Sequence, residues 1–591
     1  MSDRTASQPG ADHEWDAIDE AVRAQLSLLL TAGTKLISGN RLMGRLDPIS
    51  LFPAMLRTSV SVASRPDRMA SVVTHAAAEM LRATASAAVR AVGGTSSYQP
   101  KHAKDKRFAD PAWSGNAAYW LVREIYTGWA QSVLAIVRDT DTPPQVRQKA
   151  EFAVQLMIDA LAPTNFVLGN PAVIKKAFET GGLSLAKGGR NFVHDVLTNQ
   201  GAPRQVIPGA HTVGKDMAMS PGKVVFRNEL MELIQYAPST AEVHEIPLLL
   251  SPPWINKYYV MDLAPGRSLV QWAVDHGHTV FMISYRNPDE RMRHVKMDDY
   301  LVSGPVAALE VVGNVTGADK INLLGLCLGG TLTMATLAYV DAVGMELINS
   351  ATFLNTLIDF SEPGLLGVFT DQATISRLEQ TMQRTGFLPK EDMQRTFNLL
   401  RTNDLIWNYA VSSWLMGEEP PAFDLLSWNN DSTRMPAEMH TFYLRSCYVE
   451  NQLARGVMEL AGQRLDLGRI DQDLYFLSAE QDHIAPWRSA YAGARLPPGN
   501  VRFVLSNAGH IAGIVNPPSP KSVHRVIESG QPLPADPADW LAAATTHPRT
   551  WWEDWAEWIA ARAGAKRKPP QLGSEKYPPI ADAPGTYVLE S

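Results

Sequence analysis

Apolar positions along the chain change their period several times. Between residues 16 and 93 they recur at three- and four-residue spacing, as in Ile18, Val22 and Leu26 and again in Met69, Val72, Val73, Ala76, Met80 and Leu81. That spacing predicts helices. The stretch VGGTSSYQPKHAKDKR, 92–107, interrupts the pattern with glycine, proline and charge and predicts a linker. From Phe108 to about 205 the helical spacing returns, in NAAYWLVREIYTGWAQSVLAIV and QVRQKAEFAVQLMIDAL. Residues 221–350 carry instead the short β-rich runs VVF, HEIPLLLS, HTVFMISY, INLLG and ATFLNT, separated by helical or turn segments. Such alternation predicts a mostly parallel sheet with helices on its faces. Between about 360 and 446 strand signals vanish, and an insertion of this size reads as a cap over a site. The sheet pattern resumes in DLYFLSAEQDHIAPW and VRFVLSNAGHIAG.

The fold class that follows is α/β, a capped hydrolase-like core preceded by a mainly helical N-terminal region. The chain divides into a helical segment and linker at 1–105, a helical domain at 106–205, a catalytic domain at 206–566 with its cap at about 360–446, and an extended, proline-rich tail at 567–591. Trp551, Trp555, Trp558 and Ile559 share one helical face. Packing onto the core is preferred there over binding of polymer or lipid.

At 591 residues the chain exceeds one ordinary core. Its 45% hydrophobic and 19% charged residues suit a soluble globular protein, and a net charge of -7 offers no general attraction to nucleic acid or anionic lipid. The two cysteines, Cys327 and Cys447, are too few for a disulfide scaffold or a metal cluster, which points to a reducing, cytosolic compartment. The opening MSDRTASQPGADHEW is no signal peptide, and no apolar window is long enough to span a membrane. Neither zinc-type spacing nor a phosphate-binding glycine loop is present, so no metal and no nucleotide cofactor are expected.

Candidate chemistry centres on INLLGLCLGGTL, 321–332: a buried strand, a turn framed by Gly325, Gly329 and Gly330 around Cys327, then a helix. This is the pattern of a nucleophile elbow with sulfur in place of oxygen. Alone it is a weak signal. After the nucleophile, such a fold needs an acid following a late strand and a histidine following the next. Asp482 stands just past YFLSA and His510 just past VRFVL, in that order. A free thiol titrates at about 8.5, so Cys327 needs a base or a positive environment. His510 can take its proton, Asp482 can hold the imidazole, and the N-terminus of the following helix adds favourable potential. Oxyanion donors are expected from the N–H of Leu328 and from the loop LLLSPPWINKYY, at Ile255 or Asn256. A cysteine exchanges one thioester for another at nearly equal free energy, so the acyl group stays activated for transfer to an alcohol.

Taken with KRFADPAW, APTNFVLGNP, GGRNF, PPWINKYY, GHTVFMISYRNPD, GLCLGGT, NDLIWNYAV, FDLLSWNNDSTRMP, DHIAPW and GHIAGIVNPP, the chain from about residue 106 onward resembles the bacterial polyhydroxyalkanoate synthases, most closely class I. The resemblance implies polymerisation of (R)-3-hydroxyacyl-CoA into polyester with release of CoA, the acyl chain carried on Cys327, with His510 and Asp482 completing a triad. It implies no cofactor, since CoA arrives with the substrate. It places Asn256 and His483 near the substrate, and suggests a homodimer, a mobile cap, and a cytoplasmic location at polyester granules with their associated proteins, without nucleic acid. Trp254 and Tyr285 depart from common family residues, which bears on monomer length; a short monomer such as 3-hydroxybutyryl-CoA is expected. Two alternatives are a cysteine-type thioester or lactone hydrolase and a non-catalytic granule-coating protein. Helices within 16–93 are expected to attach to granules or partner proteins.

Overall fold

The computed structural model describes residues 51–94, 105–528 and 532–591. Ile18, Val22 and Leu26, with most of the proposed linker, lie outside them. The chain forms two compact units: one runs up to Arg204 and includes Arg401–Glu419, the other comprises Gln205–Leu400 and Pro420–Ser591.

The first unit is helical. Its main helices are Leu51–Ala63, Pro66–Ala91, Ala117–Arg138, Pro144–Ala160, Pro171–Glu179 and Leu183–Thr198. Asn116 caps the third, accepting from the N–H groups of Ala118 and Tyr119 at 2.9 and 3.2 Å. Trp113, Tyr126, Val154 and Ile158 form a buried cluster beneath it. In Pro66–Ala91 the packed side is Ala83 and Ala87 against Trp120, because alanine lets the helix approach closely, while Met69, Val73, Met80 and Leu81 of the apolar stripe stay exposed. Residues 401–419 lie within the stretch read from the sequence as cap, yet they pack into this helical unit. There Thr402 donates to Asp159, and the Ser413 carbonyl accepts from Asn191 Nδ2–H at 3.2 Å.

The second unit is built on an eleven-stranded sheet. In chain order its strands are β1 Gly222–Arg227, β2 Met231–Tyr236, β3 Leu248–Ser251, β4 Val280–Tyr285, β5 Ile321–Leu326, β6 Ile348–Leu354, β7 Asp473–Ala479, β8 Val501–Ser506, β9 His524–Val526, β10 Thr545–His547 and β11 Ala581–Asp582. Across the sheet the order is β10-β9-β8-β7-β6-β5-β3-β4-β2-β1-β11. The neighbours from β4 through β3, β5, β6 and β7 to β8 are all parallel, and the flanking pairs are antiparallel. Central strands such as β3 and β5 are buried along their whole length, which is why they read as continuous apolar runs. β4 and β5 lie on opposite sides of β3, so the chain changes direction there and opens a crevice at the strand ends.

Two features depart from a simple reading of the sequence. β2 was invisible to periodicity, because Glu232 and Gln235 are as buried as its apolar residues. The tail is more than an extended end: Ala581–Asp582 pairs with β1, and buried Glu232 accepts from the N–H groups of Thr586 and Tyr587 at 2.8 and 3.0 Å.

Candidate active site

The Cys327 turn is shaped by its glycines. Cys327 has φ 53° and ψ −119°, a strained conformation for a residue with a side chain, between β5 and the helix Leu328–Ala342. A Cβ on Gly325 would collide with Gly330 Cα and Thr333 Oγ1 at 2.5 Å. One on Gly329 would enter the main chain of Ser251 and Pro252, and one on Gly330 the side chain of Thr356. The turn therefore closes against both the β3 loop and the loop after β6. Cys327 N–H donates to the Leu354 carbonyl at 2.9 Å, tying the nucleophile to β6. Its side chain is half-buried.

Asp482 and His510 come together at the ends of β7 and β8. His510 Nδ1–H donates to Asp482 Oδ2 at 2.6 Å, and both residues are buried. The other carboxylate oxygen accepts from the N–H groups of Ile484 and Ala485, each at 2.8 Å, so Asp482 is saturated and fixed. Burial opposes a charge on His510, but the hydrogen-bonded Asp482 carboxylate and the nearby Cys327 thiol outweigh it and hold the imidazole well above its usual value. With Nδ1 engaged by the acid, Nε2 is the atom left for the thiol. Of the three residues singled out from the sequence, His510 and Asp482 are thus joined directly, and Cys327 acts electrostatically on the same ring.

Of the expected oxyanion donors, Leu328 directly follows the nucleophile. Leu328 opens the helix, where the first N–H groups have no acceptor within the helix itself. Ile255 is buried on the loop whose Ser251 and Pro252 main chain faces Gly329. Asn256 is half-buried, and its backbone forms an antiparallel bridge with Ser432. His483 is half-buried on the loop directly after Asp482.

Other residues were not legible beforehand. Asn355, at φ 45° just past β6, is fully buried; its Nδ2–H donates to the His510 carbonyl, and its own N–H donates to the Leu477 carbonyl at 2.8 Å. The signal, an asparagine after a strand, is present in FLNT but too common to single out. Within the stretch read from the sequence as cap, helix Ala437–Tyr443 runs into the π-helical turn Leu444–Val449 and brings two phenols near the thiol. Burial raises the pKa of both Tyr443 and Tyr448, and Cys327 adds to the rise, so both hydroxyls stay protonated; Tyr443 donates to Tyr448 Oη at 3.3 Å. Trp254 meets Tyr443 edge to face at 5.6 Å and Tyr300 at 6.1 Å, and Tyr285 packs on Tyr300, so both family departures fall in one aromatic cluster. Cys447 is the contrasting thiol: burial pushes it up to about 12, leaving it inert.

Residues 104–273 match the family model for the poly-beta-hydroxybutyrate polymerase (PhaC) N-terminus, and residues 256–517 match that for the alpha/beta hydrolase fold. The chain is 44% identical to a poly(3-hydroxyalkanoate) polymerase of Methylorubrum extorquens, over 82% of this chain and 80% of that one. It is 40% identical to the poly(3-hydroxyalkanoate) polymerase subunit PhaC of Cupriavidus necator, over 84% of this chain and 85% of the relative. The chain belongs to the poly(3-hydroxyalkanoate) polymerase family. It is accordingly an acyltransferase. A monoacylglycerol lipase of Paleococcus ferrophilus is among similar solved structures, at 12% identity, with a TM-score of 0.31 over 56% of this chain and 99% of the lipase. The two family models meet in this chain as a polymerase N-terminus joined to a hydrolase-type core, and the strand order of the second unit agrees with the latter. Among the described residues no helix is long and apolar enough to cross a membrane.

Proposed function

We propose that the chain polymerises (R)-3-hydroxyacyl units, 3-hydroxybutyryl first among them, from their CoA thioesters through a covalent intermediate on Cys327. The observation that carries this reading is the 2.6 Å contact between His510 and Asp482, with Cys327 held at a strained strand-to-helix turn and acting electrostatically on the same imidazole. His510 Nε2 takes the thiol proton, and the sulfur attacks the thioester carbonyl. The oxyanion formed is held by the N–H groups of Leu328 and Ile255. Its collapse breaks the bond to the CoA sulfur, which leaves with the proton from His510. The 3-hydroxyl of the next unit then attacks the acyl carbon, giving up its proton to His510, and collapse breaks the bond to Cys327 Sγ, which leaves with that proton and restores the free thiol. Asp482 is a poor base for that step, because one oxygen binds the imidazole and the other two backbone N–H groups. No cofactor enters any step.

The same reading has the protein work as a homodimer at cytoplasmic polyester granules, with Asn256 and His483 beside the substrate, supported by the family motifs around them. Cys327→Ala is expected to abolish CoA release from 3-hydroxybutyryl-CoA while leaving the melting temperature within a few degrees of the parent. Polymer made by that variant, or free 3-hydroxy acid as the sole product of the parent, would overturn the proposal.

A further inference from the structure

A helix on the surface of a globular unit normally turns its apolar side chains inward. The helix Leu183–Thr198 of the helical unit does the opposite. Its buried residues are Ser184, Gly188, Asn191 and Asp195, spaced four, three and four apart on one narrow stripe. Gly188, Asn191 and Asp195 are held by the unit itself. A Cβ on Gly188 would strike the Trp414 carbonyl, and Asn191 donates to Ser413 O. Asp195 accepts from the Arg204 Nε–H and from the Trp414 indole N–H, both at 2.9 Å. The helix is thereby locked in this orientation by polar contacts.

Away from that stripe lie Val193, Val196 and Leu197, all exposed, with Leu197 at 78%; Phe192, on the flank and 47% exposed, meets the Trp414 ring edge to face at 5.2 Å. Phe178, 82% exposed, ends the preceding helix Pro171–Glu179. Lys187 and Arg190 are exposed along one flank of this apolar face. Contiguous apolar surface of this kind marks an interaction site. Its combination with a basic flank is the pattern of a helix lying in a lipid interface.

We propose that Leu183–Thr198 is a peripheral docking face for an anionic phospholipid surface. Phe192, Val193, Val196 and Leu197 enter the boundary of the acyl chains, and Lys187 and Arg190 meet the headgroup phosphates. The chain as a whole carries -7, so an anionic surface repels it except where basic residues gather. A neutral polyester surface would leave the basic flank without a counterpart. A second copy related by two-fold symmetry would bring like charges together. The proposal does not depend on the chemistry assigned to Cys327, so either can fail alone.

The test is co-sedimentation of the full chain with vesicles of phosphatidylcholine alone or mixed equally with phosphatidylglycerol, alongside particles of bare poly(3-hydroxybutyrate). Binding is expected on the anionic vesicles and should weaken with salt. Lys187→Gln with Arg190→Gln should reduce it by about thirtyfold, at roughly fivefold per charge, and Val193→Ser with Leu197→Ser by roughly tenfold or more. All four positions are exposed, so both variants should keep the parent's melting temperature and its rate of CoA release without vesicles. Equal binding to neutral vesicles, binding confined to bare polyester, undiminished binding by either variant, or conversion of a dimer to monomer by the serine substitutions would each overturn the proposal.

Discussion

Asn355 shows how much of the site is decided by one unremarked side chain. It occupies the left-handed region at φ 45°, which asparagine tolerates better than most residues, and it spends its amide on the His510 carbonyl. Asn355→Ala leaves that buried carbonyl without this partner and relaxes the loop that aims the imidazole. The expected result is a fall in kcat of about tenfold to a hundredfold with little change in KM, since misplacement of a catalytic group by about 1 Å has this order of cost. Stability should drop by about 1–3 kcal/mol. Steady-state CoA release and a denaturant titration check both, and a wild-type kcat would remove Asn355 from the positioning of His510. Cys327, Asp482 and His510 were readable because each stands at a strand end in a fixed chain order. Asn355, Tyr443 and Tyr448 were not, because their relation to the nucleophile exists only once β6, β7, β8 and the cap are assembled.

Among elements, the turn between β5 and its helix is the most constrained. Gly330 and Gly329 look alike in sequence but face different neighbours, a side chain and a main chain respectively. Gly330→Ala is expected to cost about 1–3 kcal/mol by overpacking against Thr356, and adding Thr356→Ala should restore most of it. Gly329→Ala meets the backbone of Ser251 and Pro252, so no single side-chain truncation should rescue it. Chemical denaturation of the single and double variants measures the coupling; an additive Gly330/Thr356 pair would contradict the packing described. The tryptophan helix Trp551–Ala560 makes a related point. Its shared face was legible, and core packing was the preferred reading. Trp551, Trp552, Trp555, Trp558 and Ile559 are all buried, and the indoles of Trp551 and Trp552 donate to the carbonyls of Gly513 and Ile514 at 2.6 and 2.9 Å. The helix therefore braces the segment that follows His510, a task no pattern of tryptophans announces.

At the scale of the whole molecule, buried histidines set the response to acid. Burial, aided by His244, Lys566 and His276, holds His278 down at about 3, and burial alone holds His440 at about 4. Both stay neutral in the fold while the unfolded chain takes up protons below about 6.5, so stability is complete above that pH and declines as the pH falls toward the folded values. At pH 5 the loss is about 2 kcal/mol for each. His510 has the opposite sign: its raised value stabilises the fold below about 6.5, and that contribution is lost as the pH rises through the folded value. Thermal unfolding should therefore move down between pH 7 and pH 5, and His440→Phe should flatten that slope; an unchanged slope would show that His440 is not the titrating group. The sequence by itself determined the class of the core, the presence of its central strands and the placing of Cys327, Asp482 and His510 at strand ends, because buried parallel strands leave apolar runs. Only the tertiary structure decided that residues 401–419 pack with the N-terminal helices, that the tail completes the sheet through Glu232, and that Leu183–Thr198 faces its apolar side outward. Each of these depends on which distant residue a polar side chain finds, and a one-dimensional pattern of hydrophobicity carries no record of that.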